Sequence, residues 1–136
     1  DDLFVSNGAG HGIGANEVVE YAPNSDSILR KINDDIDGYL ELALDGSGTL
    51  YISNWPLSPS GPGWISVYPP GSVMAAYTIT RKIVQPVSVA LSGDGKLYVA
   101  NLGGWISVYA PGGRKPLRVI ASGAFGEPRS LAFGSH

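Results

Sequence analysis

Leu97-Tyr98-Val99-Ala100-Asn101 decides how the chain is read, because the same pattern stands at Leu50-Tyr51-Ile52-Ser53-Asn54 and again at Leu3-Phe4-Val5-Ser6-Asn7. Both steps are 47 residues (97 − 50 and 50 − 3). A fixed period of roughly 20–50 residues carried by short strand-like segments marks a repeat architecture. Each unit is too thin to bury its own faces and must stack on the next.

Working outward, an apolar run precedes each copy after the first: Leu40-Glu41-Leu42-Ala43-Leu44 and Val87-Ser88-Val89-Ala90-Leu91. Asp45-Gly46-Ser47-Gly48 and Ser92-Gly93-Asp94-Gly95 join run to copy and read as hairpin turns. A third strand follows in Trp64-Ile65-Ser66-Val67-Tyr68, Trp105-Ile106-Ser107-Val108-Tyr109 and, more loosely, Glu17-Val18-Val19-Glu20-Tyr21. Each is stopped by proline, at Pro23, Pro69 and Pro111. A fourth strand, ending in Ile32, Ile79 and Ile120, carries Lys and Arg in and around it, as expected of an outer edge shielded against stray pairing. Four strands per unit, repeated three times, predict an all-β chain of four-stranded antiparallel blades, a β-propeller. The repeats cover about 3–44, 50–91 and 97–133 of a single domain, 1–136.

The ends carry a further expectation. Leu131-Ala132-Phe133 after Pro128-Arg129-Ser130 looks like the first strand of another unit, and Leu3–Asn7 is a second strand without a first. If His136 led into Asp1, Leu131 to Leu3 would span as many positions as Val89 to Leu97. Residues 128–136 are therefore expected to complete the blade begun by residues 1–32. Rings of this kind usually need about four to eight blades. Two chains in head-to-tail order would give six, so a homodimer closed by strand exchange is expected; an excerpt of a longer tandem chain or an engineered half-propeller are the alternatives.

Charged residues are 15% of the chain and the net charge is −3, so no basic field draws nucleic acid or an anionic membrane. The longest apolar runs fall short of the roughly 20 residues that span a bilayer. There is no cysteine, hence no disulfide framework or thiolate site. An extracellular or periplasmic setting is the expectation.

The Leu-Tyr-x-x-Asn strand, the Trp-Ile-Ser-Val-Tyr strand and the Tyr-Ala/Pro-Pro-Gly turn together resemble the NHL-like and YVTN-like propeller repeats of bacterial proteins, most clearly over Val87 to Ile120. The resemblance implies a propeller and leaves the activity open, since such repeats serve binding proteins, enzymes and scaffolds. The related gluconolactonase-like propellers hold an axial divalent metal with a Glu, two Asn and an Asp. The matching positions here are Glu41, Ser88 and Ser130, of which only Glu41 carries a carboxylate.

Candidate ligand-binding residues follow from the loop face. Trp55, beside Pro56, is unique to its repeat and offers a flat apolar face to a sugar or another ring. Trp64 and Trp105 are candidates too, although their repetition suits a framework role. Asn7, Asn54 and Asn101 would line a ring of six amides in the dimer, unless each bonds its own backbone. His11, in the Gly8 to Gly14 loop, is a candidate base or ligand. Asp34, Asp35, Asp37 and Glu41 supply the oxygens that a hard cation such as calcium prefers, in a spacing unlike the twelve-residue calcium loop. The expectation is a non-catalytic binding or scaffold module without cofactor, presenting its long loops to a protein or glycan. The alternative is a metal-dependent lactonase or lyase at the channel mouth.

Overall fold

A computed structural model describes residues 1–8, 16–56, 61–121 and 126–134. Its elements are eleven strands: β1 (Leu3–Asn7), β2 (Glu17–Tyr21), β3 (Ile28–Ile32), β4 (Tyr39–Leu44), β5 (Leu50–Trp55), β6 (Trp64–Tyr68), β7 (Tyr77–Ile79), β8 (Pro86–Leu91), β9 (Leu97–Asn101), β10 (Trp105–Tyr109) and β11 (Pro116–Ala121). They form three antiparallel meanders, β1-β2-β3, β4-β5-β6-β7 and β8-β9-β10-β11. The strand positions read from the repeat hold to within a residue at most ends. Within β4-β5 and β8-β9 the hairpins turn on Gly48 (φ 87°) and Gly95 (φ 77°), a left-handed conformation that glycine adopts without a Cβ clash.

The meanders stack as blades. The innermost strands β1, β4 and β8 are neighbours in turn. Because successive side chains of a strand point to opposite faces, each blade has two apolar faces and buries one against each neighbour. Between the first two blades lie Val18, Ile32, Leu50, Ile52 and Tyr68, with Phe4 and Leu42 packed against them. Between the second and third lie Tyr51, Ile65, Val67, Ile79, Ile83, Val89, Leu97, Val99 and Tyr109. Tyr51 and Leu50 thus serve different interfaces although they adjoin in sequence.

The connections between blades repeat in atomic detail. Asp35 (φ 54°) and Lys82 (φ 60°) are 47 positions apart and both left-handed. Such a conformation in a residue with a Cβ persists only where surroundings over-determine it. Here the carbonyl of Asp35 accepts from Ser66 Oγ (2.7 Å) and Trp64 Nε1 (3.3 Å), and that of Lys82 accepts from Ser107 Oγ (2.5 Å) and Trp105 Nε1 (3.2 Å).

Among the described residues the first sheet has three strands, with no inner strand beside β1. Residues 126–134 form no strand, in contrast to the expectation for Leu131-Ala132-Phe133. A ladder needs a partner, and among the described residues the segment meets none. It lies instead along the third blade. Leu131 N donates to Ser88 Oγ (3.2 Å), and the Phe133 ring stands edge-on to Tyr98 with centroids 4.9 Å apart.

Candidate functional site

The inner ends of the second and third blades enclose a cleft of about 410 Å³ lined by Tyr39, Leu40, Glu41, Ser53, Trp55, Pro86, Val87 and Arg129. The sequence of β5 builds it. That strand runs one residue past the repeated Asn54, which brings Trp55 opposite Tyr39 in the β4-β5 register. The two rings are 5.3 Å apart and inclined at 43°, giving one apolar wall. The exposed Glu41 carboxylate and the Arg129 guanidinium supply charge of both signs. Glu41 is held by its backbone, whose N–H donates to the fully buried Ser53 Oγ (3.1 Å). A cleft with an aromatic wall and a few polar groups suits a ligand that stacks by one face and hydrogen-bonds by its rim.

Of the residues singled out from sequence, the cleft brings together Trp55 and Glu41. Asn54 and Asn101 are elsewhere, wholly buried, and their amides are engaged by the framework. Asn54 Oδ1 accepts from Asp37 N (2.9 Å) while its Nδ2 donates to Ile52 O (3.2 Å) and Ser66 Oγ (2.9 Å). Asn101 Oδ1 accepts from Val84 N (2.8 Å) while its Nδ2 donates to Val99 O (3.1 Å) and Ser107 Oγ (3.2 Å). Asn7, by contrast, is exposed. Trp64 and Trp105 are half-buried and tied to blade connections through their indole N–H groups. His11 lies outside the described residues.

The acidic run does not converge. Asp34 Oδ2 accepts from Ala75 N (3.1 Å), Asp35 Oδ2 from Ser66 Oγ (2.7 Å) and Asp37 Oδ1 from Asn16 Nδ2 (3.1 Å). Each carboxylate thus faces a different protein donor, Glu41 belongs to the cleft, and among the described residues no three His, Cys, Asp or Glu side chains are grouped to hold a metal ion.

Sequence reasoning missed Tyr39 and Arg129. A signal was present: Tyr39 stands where the other units have Pro86 and Pro128, and Arg129 where they have Leu40 and Val87. Departures from a repeat mark positions whose residue the stacking does not dictate.

Fold and cleft define a β-propeller module made of three blades. No protein-family model matches the sequence, and no curated protein does. Among solved structures, the chain is similar to the one titled "Structure of Dos1 propeller", with a TM-score of 0.69 and 14% identity over 90% of this chain and 32% of that one. The chain spans about a third of that structure's length, and at this identity the likeness bears on the fold alone.

Proposed function

We propose that this chain is a non-catalytic propeller module that closes its ring with a second copy, six blades in all, and presents the Tyr39–Trp55 cleft to a protein or glycan. One observation carries the assembly. Leu3 is 59% exposed, whereas Leu50 and Leu97, which hold the same place in the next two blades, are 0% and 2% exposed. The first face of the first blade, with Leu3, Val5 and Tyr21, is built like the faces that the second and third blades bury. At the other end of the row, Tyr98, Ile106, Val108 and Ile120 match Tyr51, Ile65, Val67 and Ile79, the set with which the second blade receives the third. Ile106 and Val108 are already buried and Tyr98 and Ile120 half-buried within this chain, so the exposed member is Leu3, and the set at each end is of the kind whose counterpart binds the other inside the chain. A head-to-tail pair joins both sets at once, which makes a closed ring.

The same reading takes the likeness to NHL-like and YVTN-like repeats as a likeness of scaffold. The cleft supports the ligand class, since rings of a glycan stack on aromatic faces and their hydroxyls bond to carboxylate and guanidinium. Sedimentation equilibrium of the whole chain tests the assembly. A mass of two chains is expected, and a single-chain mass at all concentrations overturns the reading.

A further inference from the structure

Two asparagines perform a task for which a third is placed. Asn54 and Asn101 each tie down the connection that leads into an inner strand by accepting, through Oδ1, the N–H of the residue 17 positions earlier, Asp37 and Val84. Both are completely buried. Asn7 ends β1 at the equivalent place, yet it is exposed, and among the described residues its amide has no hydrogen-bond partner.

The missing donor has an address. Pro128-Arg129-Ser130-Leu131-Ala132-Phe133 is in register with Pro86-Val87-Ser88-Val89-Ala90-Leu91, and Val84 lies two residues before Pro86. Two residues before Pro128 is Gly126, also exposed. The segment that carries Gly126 already occupies the place of a further blade's inner strand. Phe133 touches Tyr98 where its counterpart Leu91 joins the cluster of Tyr51, the counterpart of Tyr98. What this segment lacks is a second strand, and what β1 lacks is an inner one.

We infer that Asn7 is a latch for the backbone N–H of Gly126 of a second copy, and that residues 128–133 of that copy pair with β1 in the register that β8 keeps with β9. This rests on the two-copy ring proposed above. Since Ser88 pairs with Ala100 and Leu91 with Leu97, the exchanged strand sets Ser130 opposite Ser6 and Phe133 opposite Leu3. The ring then contains two such latches, one at each junction.

Three measurements test the inference on the whole chain. Amide hydrogen exchange at Gly126 is expected to be protected in the wild-type dimer and to lose at least about tenfold in protection in Asn7→Ala, measured where both remain dimeric. The same substitution is expected to weaken dimerisation about tenfold or more, because a buried hydrogen bond is lost at each of two junctions. The chain lacks cysteine, so Ser6→Cys with Ser130→Cys is expected to give disulfides between chains, while Ser6→Cys with Leu131→Cys, whose side chains point to opposite faces, is not. A wild-type monomer overturns the ring and the latch with it. A dimer in which Gly126 exchanges freely, or in which Asn7→Ala changes neither readout, overturns the latch and leaves the ring standing. A disulfide that joins positions 6 and 130 of one chain in the Ser6→Cys, Ser130→Cys variant overturns the exchange between copies.

Discussion

Glu20 and Arg30 form an ion pair across β2 and β3, with side chains 10% and 9% exposed, at a place where the other two blades set Val67 opposite Tyr77 and Val108 opposite Arg118. Arg30 also donates to the carbonyl of Ser72 in the next blade and lies over the Phe4 ring, 5.6 Å from its centroid. One guanidinium therefore links two strands of the first blade to the turn of the second.

Such a pair costs desolvation that its attraction only partly offsets, while removing one member leaves a buried charge alone. Arg30→Ala is accordingly expected to destabilise the chain by about 3–5 kcal/mol. The double variant Glu20→Val with Arg30→Tyr, which installs the pair the second blade uses, is expected to recover most of that loss. Urea unfolding of the single and double variants reads the difference. A double variant as unstable as Arg30→Ala alone would show that the Ser72 contact, and not the charge, matters.

Tyr68 and Tyr109 donate their phenolic hydrogens to the carbonyls of Asp34 and Arg81 from fully buried positions. Burial pushes both hydroxyls up, Tyr109 to about 12, and it does the same to Tyr51, also to about 12. A phenol whose folded pKa exceeds its unfolded value of about 10 favours the native state while protonated. Its contribution is complete below about pH 10 and is lost as pH rises through about 12. Thermal melts are therefore expected to hold level up to about pH 10 and then fall, with tyrosinate absorbance appearing together with unfolding. Absorbance that rises well before the loss of structure would contradict this.

Much of this architecture is legible in the chain because its signals are local and repeated: Leu50 and Leu97 name the second strand, Gly48 and Gly95 the hairpin, Pro69 and Pro111 the end of the third strand. The role of Asn54 and Asn101 is less so. Their type is compatible with an axial ring of amides, and only the position of the Asp37 and Val84 N–H groups shows that the amides are already bonded. The cleft is harder still, since Glu41 and Arg129 lie far apart in sequence and meet only because the last segment folds along β8. The acidic run reads as a cation site by composition, whereas its three aspartates are turned to separate donors by the left-handed bend at Asp35.

Asn54→Ala and Asn101→Ala each remove an acceptor from one N–H and donors from several buried oxygens. With about 1–3 kcal/mol for a buried group left unbonded, each is expected to cost roughly 2–4 kcal/mol. Asp in place of Asn keeps the acceptor and sets a carboxylate against the carbonyl of Ile52 or Val99, so it is expected to restore little. Differential scanning calorimetry of the four variants measures this. Similar losses at both positions are expected, and a loss at only one would contradict the equivalence of the two connections.

Gly38 and Gln85 are equivalent in the repeat and both left-handed, with φ of 82° and 49°, yet only one bears a side chain. The difference lies in what stands beside them. Gly38 forms a bridge to Trp55, and a Cβ on it would sit 1.8 Å from the Trp55 carbonyl oxygen. Gly38→Ala must therefore push back the end of β5 and, with it, the ring that faces Tyr39. It is expected to cost more than about 2 kcal/mol, well above the roughly 1 kcal/mol that a left-handed residue with a Cβ pays by itself. It is also expected to shift Trp55 fluorescence, read in a Trp64→Phe, Trp105→Phe background. Gln85→Gly, which relieves the same backbone strain without a steric change, is expected to stay within about 1 kcal/mol of wild type. If Gly38→Ala leaves both stability and fluorescence unchanged, the close approach of Gly38 to Trp55 does not shape the cleft.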